Sequence, residues 1–289
     1  MMQHHEGIFS GAGELPLYYQ SWHPIQPRAM LVIVHGLGGH CGSFEHIVDR
    51  FVPLGYKVYG FDLRGHGRSP GQRGYLNRWS EFREDLDRFL DVIRTQEPTL
   101  PCFLLSHSLG ALLALDYSLQ NSSKIQGVIA LAPALKQVGV SPVRIILGQV
   151  LSWVYPRFSL GTGIALETAS RDRGVVEAYA QDPLRHGRGT ARLATEFLAA
   201  TSWVGQHASE LQVSLLMMHG ARDSVTSSIA SYQFFQQIPF ADKQWYEYAD
   251  SYHHLYDDLN YLEVLTDIEN WLEQHLKFNQ IPRQAIRSV

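Results

Sequence analysis

Short, nearly unbroken apolar runs rich in β-branched residues recur along the chain at Met30 to Val34, Lys57 to Phe61, Cys102 to Leu105, Val128 to Leu131, Val213 to Met218 and Gln244 to Tyr248. Runs of that length without a polar face suit strands covered on both sides. Between them, apolar positions recur at helical spacing in Phe44 to Phe51, Ser80 to Thr95, Leu109 to Leu119, Ser227 to Gln237 and Tyr261 to Leu276. Such alternation predicts an α/β fold, a mostly parallel sheet joined by crossover helices. The start differs: Gly7 to His23 alternates about Gly11-Ala12-Gly13 and predicts an antiparallel hairpin at one sheet edge. From about Pro133 to Gln212 the strand pattern disappears, and helical segments are punctuated by Pro142, Pro156, Pro183 and Gly161 to Gly163. An insertion of this kind predicts a helical cap over the carboxyl edge of the sheet, where open α/β sheets bind ligands. The expected layout is a core of residues 1–132 and 213–289 interrupted by a cap of residues 133–212.

Composition narrows the class. With 45% hydrophobic and 18% charged residues the chain has an ordinary globular mix, against both disorder and an integral membrane protein. A net charge of −4 offers no general attraction for phosphate backbones, so nucleic acid is not an expected partner. Cys41 and Cys102 form neither a disulfide framework nor a CxxC pair. The fourteen histidines include no H-E-x-x-H, and the neighbours His4-His5 and His253-His254 would point apart, so neither a metal nor a cofactor is expected. Met1 to Glu6 carries two histidines and an acid where a signal peptide would have a basic and then an apolar segment. Ile145 to Pro156 is too short to cross a bilayer. A cytoplasmic location, peripheral to membranes at most, is the expectation.

The chemistry begins at Ser106-His107-Ser108-Leu109-Gly110, set between a strand pattern and a helix pattern. A serine hydroxyl becomes a useful nucleophile only when held clear of the backbone, near a base and beside donors for the developing oxyanion. A sharp strand-to-helix turn provides that exposure, and small residues two positions either side let it pack. Ser108 fits with Gly110 after it and Ser106 before it. Ser106 as nucleophile would put Ser108 where glycine is wanted.

Its partners should leave the ends of later strands. Val213 to Met218 leads into Asp223, the expected acid, and Gln244 to Tyr248 leads into His253, the expected base. One residue of loop displacement would substitute His254 for His253. Asp250 is close enough to His253 in sequence to position it, whereas His219, Asp62 and Asp116 read as structural. Backbone donors for the oxyanion are assigned to Leu109, at the start of the elbow helix, and to Leu37, in the glycine-rich loop His35 to His40. That loop has neither a G-x-G-x-x-G spacing nor a phosphate-loop lysine.

With these residues in place, the chain resembles the monoglyceride lipase and lysophospholipase branch of the serine α/β-hydrolases over nearly its whole length. The carriers are His35 to Gly38, Phe61 to Ser69, the elbow at Ser108, His219-Gly220 with Asp223, Tyr252-His253, and in the cap Pro156 to Gly161 and Ala180 to Leu184. The resemblance implies the α/β-hydrolase fold, Ser108 as nucleophile, Asp223 as acid, His253 as base and Leu37 and Leu109 as oxyanion donors. It assigns Asp62 to Ser69 a structural turn. Three positions depart from the pattern: Ser106 replaces the first elbow glycine, and Gly39 and Ser43 stand where the lipases commonly have glutamate and arginine.

The expected reaction is hydrolysis of carboxylic esters with medium or long acyl chains, monoacylglycerol-like or lysophospholipid-like, through an acyl-enzyme. The first cap helix is apolar on most faces, and Ile145, Ile146, Val150, Trp153 and Tyr155 are its candidate substrate contacts. One face of such a helix could line an acyl tunnel or touch a membrane surface transiently. Two other classes keep the same residues: a carboxylesterase or serine aminopeptidase acting on small soluble substrates, and a non-catalytic hydrolase-fold scaffold.

Overall fold

The computed structural model describes residues 2–136 and 142–279, leaving aside the side chains of residues 142–147, 278 and 279. Strand β1 (Gln3–Ser10) turns through Ala12–Glu14 into β2 (Pro16–His23), pairing antiparallel with Gly7 opposite Tyr19. The chain then alternates through β3 (Ala29–Val34), α1 (Glu45–Phe51), β4 (Tyr56–Phe61), α2 (Ser80–Gln96), β5 (Cys102–His107), α3 (Leu109–Gln120) and β6 (Gly127–Leu131). An insertion follows, with α4 (Pro142–Val154), β7 (Ser159–Gly161), α5 (Arg173–Gln181), β8 (Arg188–Thr190) and α6 (Ala191–Gln206). The core resumes with β9 (Ser214–Gly220), α7 (Ser228–Gln237), β10 (Lys243–Tyr248) and α8 (Tyr261–Asn279).

Eight strands form one sheet in the order β1-β2-β4-β3-β5-β6-β9-β10. Only the β1–β2 and β2–β4 pairs are antiparallel, as the hairpin at the edge requires. The other pairings are parallel. Every residue of β3 and β5 is buried, which explains their unbroken apolar character. Alternate residues serve opposite faces: Met30, Val32 and Val34 pack with α2 and α3, whereas Ala29, Leu31 and Ile33 pack with α1 and α8.

The chain leaves β3 for β4 on one side and returns to β5 on the other. The loops following β3 and β5 therefore part above their carboxyl ends and leave a crevice at the switch point. The insertion covers it. Within it α4 lies against α6, joined by a 2.8 Å hydrogen bond between the Ser152 and Thr195 hydroxyls, and α6 sends Phe197, Ala200 and Val204 into the core beside α3. Strands β7 and β8, paired with Ser159 opposite Thr190, lie where no strand was expected. Three residues carry too few positions for a period-two pattern to register. Among the described residues, no helix is long and apolar enough to cross a membrane.

Candidate active site

Ser108 sits between β5 and α3 with φ 56° and ψ −118°, a conformation that a non-glycine residue adopts only under strain. Surrounding bonds hold it there: its N–H donates to the Leu131 carbonyl at 3.0 Å, and its own carbonyl accepts from Ala111 and Leu112 in the first turn of α3. A side chain at Gly110 would collide with the Val34 and His35 carbonyls, so the elbow helix meets β3 through a glycine. Ser106 is fully buried and its hydroxyl donates to the Ile129 carbonyl at 2.9 Å, turned into the adjacent strand and away from the crevice. That explains how a serine fits where the pattern favours glycine.

Two distant loops reach this serine. The turn after β9 presents Asp223 and the loop after β10 presents His253. The His253 Nε2 lies 3.0 Å from the Ser108 Oγ, and its Nδ1 lies 2.7 Å from the Asp223 Oδ2. A carboxylate can only accept, so Nδ1 carries the hydrogen and Nε2 presents its lone pair to the serine hydroxyl. His254 is turned the other way, with its Nδ1 3.0 Å from the Tyr179 hydroxyl and 3.3 Å from that of Tyr256. Asp250 pairs with Arg222 at 3.0 Å on the surface and has no hydrogen bond to His253 among the described residues. Asp62 accepts from the Cys41 and Arg68 amides, and Asp116 from the Trp79 indole and Arg83, both structural roles.

Asp223 is surrounded by donors. Its Oδ1 accepts from the Val225 and Thr226 amides at 2.7 and 3.0 Å, and its Oδ2 from the Thr226 hydroxyl at 2.8 Å and His219 Nε2 at 3.1 Å, besides His253. Burial alone would raise its pKa, but the electrostatic interaction with His253 and the hydrogen bonds from His219 and His253 outweigh it and hold the carboxyl well below the usual range. His219, expected to be purely structural, thus touches the acid. Thr226 carried no sequence signal, because a hydroxyl three residues past an aspartate occurs in many turns.

His107 and His254 crowd the base from behind, with ring centroids 4.7 and 5.5 Å from that of His253. Burial, then the neighbouring imidazoles, pushes both well below the ordinary histidine pKa and keeps them neutral. Nitrogens of His107, His253 and His254 fall within 4.8 Å of one another, the spacing of a metal cluster. A metal there would compete for the imidazole that bonds Ser108 and Asp223.

Two cavities meet at Ser108. The larger, about 610 Å³, is lined by apolar groups including Leu151, Phe158, Leu160, Leu193, Phe197 and Leu198. The smaller, about 340 Å³, is lined on its far side by Tyr179, Asp182, Arg185, His186 and Tyr256. Leu37 borders both and Leu109 the larger. Neither amide has a backbone acceptor among the described residues. The cap closes on this loop: the His186 N–H donates to the Gly38 carbonyl at 3.0 Å, and His40 meets Asp182 at 2.7 Å.

Val150, Trp153 and Tyr155 line neither cavity and are 59%, 83% and 59% exposed. Among the described side chains of α4, Gly148 and Leu151 line the larger cavity, because a helix apolar all round does not declare which stripe packs. The side chains of Ile145 and Ile146 lie outside the described residues.

Comparison with known proteins agrees with this architecture. The family model described as serine aminopeptidase, S33, matches residues 25–260. A monoacylglycerol lipase of Mycolicibacterium smegmatis is 31% identical, over 94% of this chain and 98% of its own. A monoglyceride lipase of Rattus norvegicus is 27% identical, over 90% of this chain and 88% of its own. The crystal structure of a monoacylglycerol lipase from Paleococcus ferrophilus superimposes with a TM-score of 0.83 at 30% identity, covering 90% of this chain and 99% of that one.

Proposed function

Because the chain belongs to the serine aminopeptidase S33 family, in the monoglyceride lipase branch of the serine α/β-hydrolases, we propose a mechanism and substrate orientation for it as a serine ester hydrolase. Ser108 attacks the ester carbonyl as His253 Nε2 takes its proton. Asp223 holds the imidazole by Nδ1 and stabilises the imidazolium that forms. The Leu37 and Leu109 amides receive the oxyanion, Leu109 with the added field of the α3 N-terminus. The alcohol leaves with the proton from His253, and water repeats the sequence to release the acid.

The cavities orient the substrate. An acyl chain enters the larger, where each buried methylene contributes about 0.8 kcal/mol, and a glycerol-like alcohol occupies the smaller. The observation that carries this reading is the Ser108–His253–Asp223 chain of hydrogen bonds opening onto an apolar cavity. Residues 133–212 act as its cap. An aminopeptidase would need an acceptor for a free ammonium group, yet Asp182 already pairs with His40, and Arg185 would repel that ammonium.

The outer face of α4 supports a further partner. Val150, Trp153, Val154 and Tyr155 are exposed there, with Leu160, Ile164 and Leu166 exposed in the segment that follows. This patch docks transiently on a lipid surface, delivering substrate to the cap.

The test is labelling with a fluorophosphonate, followed by a chain-length series of monoacylglycerols. Ser108→Ala is expected to fold and to lose both labelling and turnover. Labelling that survives in that variant, or rates that stay flat from butyryl to palmitoyl esters, would overturn the assignment.

A further inference from the structure

The polar side chains around the smaller cavity are largely engaged with the protein itself. The Tyr179 hydroxyl bonds to Asp257 and His254, Asp182 accepts from His40 and from the Leu184 amide, and Ser43 donates to the His40 carbonyl. Arg185 is different. Among the described residues its guanidinium makes no hydrogen bond and has no carboxylate within ion-pair distance. Its Cζ lies 3.7 Å over the centre of the Tyr179 ring, a stacking contact that holds it against the cavity wall and leaves its in-plane donors open.

The nearby carboxylates are hydrogen-bonded to other partners. Asp182 pairs with His40 at 2.7 Å, and Asp257 pairs with His46 at 2.9 Å. Gly39 and Ser43, which also line this cavity, bring no charge. The field of Arg185 spreads across the cavity, adding to the burial that keeps His107 and His254 unprotonated. A permanent cation with unused donors, half-buried in the wall of the cavity that Ser108 also lines, is a ready receptor for an anion whose oxygens match its planar fork.

We propose that Arg185 binds a phosphate group on the alcohol portion of the substrate, so that the preferred substrates are acyl esters of a phosphorylated polyol rather than of a neutral one. This rests on the ester-hydrolase reading and deepens it. Arg185 acts as a binding residue that discriminates between alcohols, and the bond cleaved remains the carboxylic ester.

The experiment compares kcat/KM for three lauroyl esters, monolauroylglycerol, its 3-phosphate and the corresponding glycerophosphoglycerol, in the wild type, Arg185→Met and Arg185→Lys. Either phosphorylated ester is expected to exceed the neutral one about 10-fold or more in the wild type, a size typical of a charge-assisted bidentate contact. That ratio collapses in Arg185→Met and is partly kept in Arg185→Lys. The phosphomonoester and phosphodiester arms show whether the recognised group is terminal or bridging. A wild-type ratio at or below one, or a ratio that Arg185→Met leaves unchanged, would overturn the proposal, as would equal losses on all three esters.

Should Arg185→Met fail to fold, inhibition of p-nitrophenyl butyrate hydrolysis decides with the wild type alone. Glycerol 3-phosphate is expected to inhibit, less so as salt is added, and glycerol at the same concentration is not. Equal behaviour of the two compounds refutes the anion site. Absence of p-nitrophenyl butyrate turnover and of fluorophosphonate labelling would instead refute the hydrolase reading on which it rests.

Discussion

Asp223, the acid of the proposed mechanism, shows how much of a side chain's behaviour comes from neighbours that do not touch substrate. Five hydrogen-bond donors converge on it, two from backbone, one from Thr226 and two from imidazoles. They keep it anionic despite burial, and the anion keeps the His253 hydrogen on Nδ1. Asp223→Asn is therefore expected to lower kcat by about 10⁴-fold, with KM little changed, since an amide would present N–H to His253 and reverse its tautomer. Steady-state kinetics on a soluble ester checks this, and a loss below 100-fold would assign the orienting role elsewhere. That Ser108, Asp223 and His253 each lie just past a strand was legible from the strand patterns that precede them. The choice of His253 over His254 was not, since it depends on which ring the loop rotates toward Ser108.

At the scale of elements, the β5–α3 elbow is a tightly constrained joint. Gly110→Ala would drive a methyl group into the Val34 and His35 carbonyls on a strand with no room to move, so a loss of about 3 kcal/mol of stability is expected from urea unfolding. A loss below 0.5 kcal/mol would mean that α3 can slide relative to β3. Helix α4 raises the opposite problem, because its exposed side carries the large apolar residues. Trp153→Ser with Val154→Ser is expected to cut binding to phosphatidylcholine vesicles several-fold in flotation assays while the rate on p-nitrophenyl butyrate holds. Equal vesicle binding by this variant and the wild type would leave the patch without that role. Periodicity located α4 but left open which of its apolar residues face inward, as it must when hydrophobicity has no dominant face.

Across the whole molecule, four histidines are fully or nearly fully buried in the neutral state. His35, His66, His107 and His254 are all held below the ordinary histidine pKa mainly by burial, His35 at about 3. Below about pH 6.5 the unfolded chain protonates these groups while the native state does not, so unfolding takes up protons and stability falls with pH. Asp223, depressed in the native state, extends the loss below about pH 4. His46, raised by its bond to Asp257, acts in the opposite sense and offsets part of one proton. Thermal denaturation should therefore show Tm falling steeply from pH 6.5 to pH 4.5, and a flat Tm over that window would contradict neutral burial of the four imidazoles.

The periodicities of the chain carry the sheet, its crossover helices, the hairpin at its edge and the place of the insertion, because those follow from which residues must leave water along each strand and helix. They do not carry contacts between segments distant in order. That the loops bearing residues 108, 223 and 253 converge is a product of strand order. The attachment of His219 and Thr226 to Asp223, the residues of α4 that line the larger cavity and the Arg185 guanidinium, unpaired among the described residues, all arise where packed elements meet. There, a side chain's role is set by partners from other parts of the chain, which local patterning does not encode.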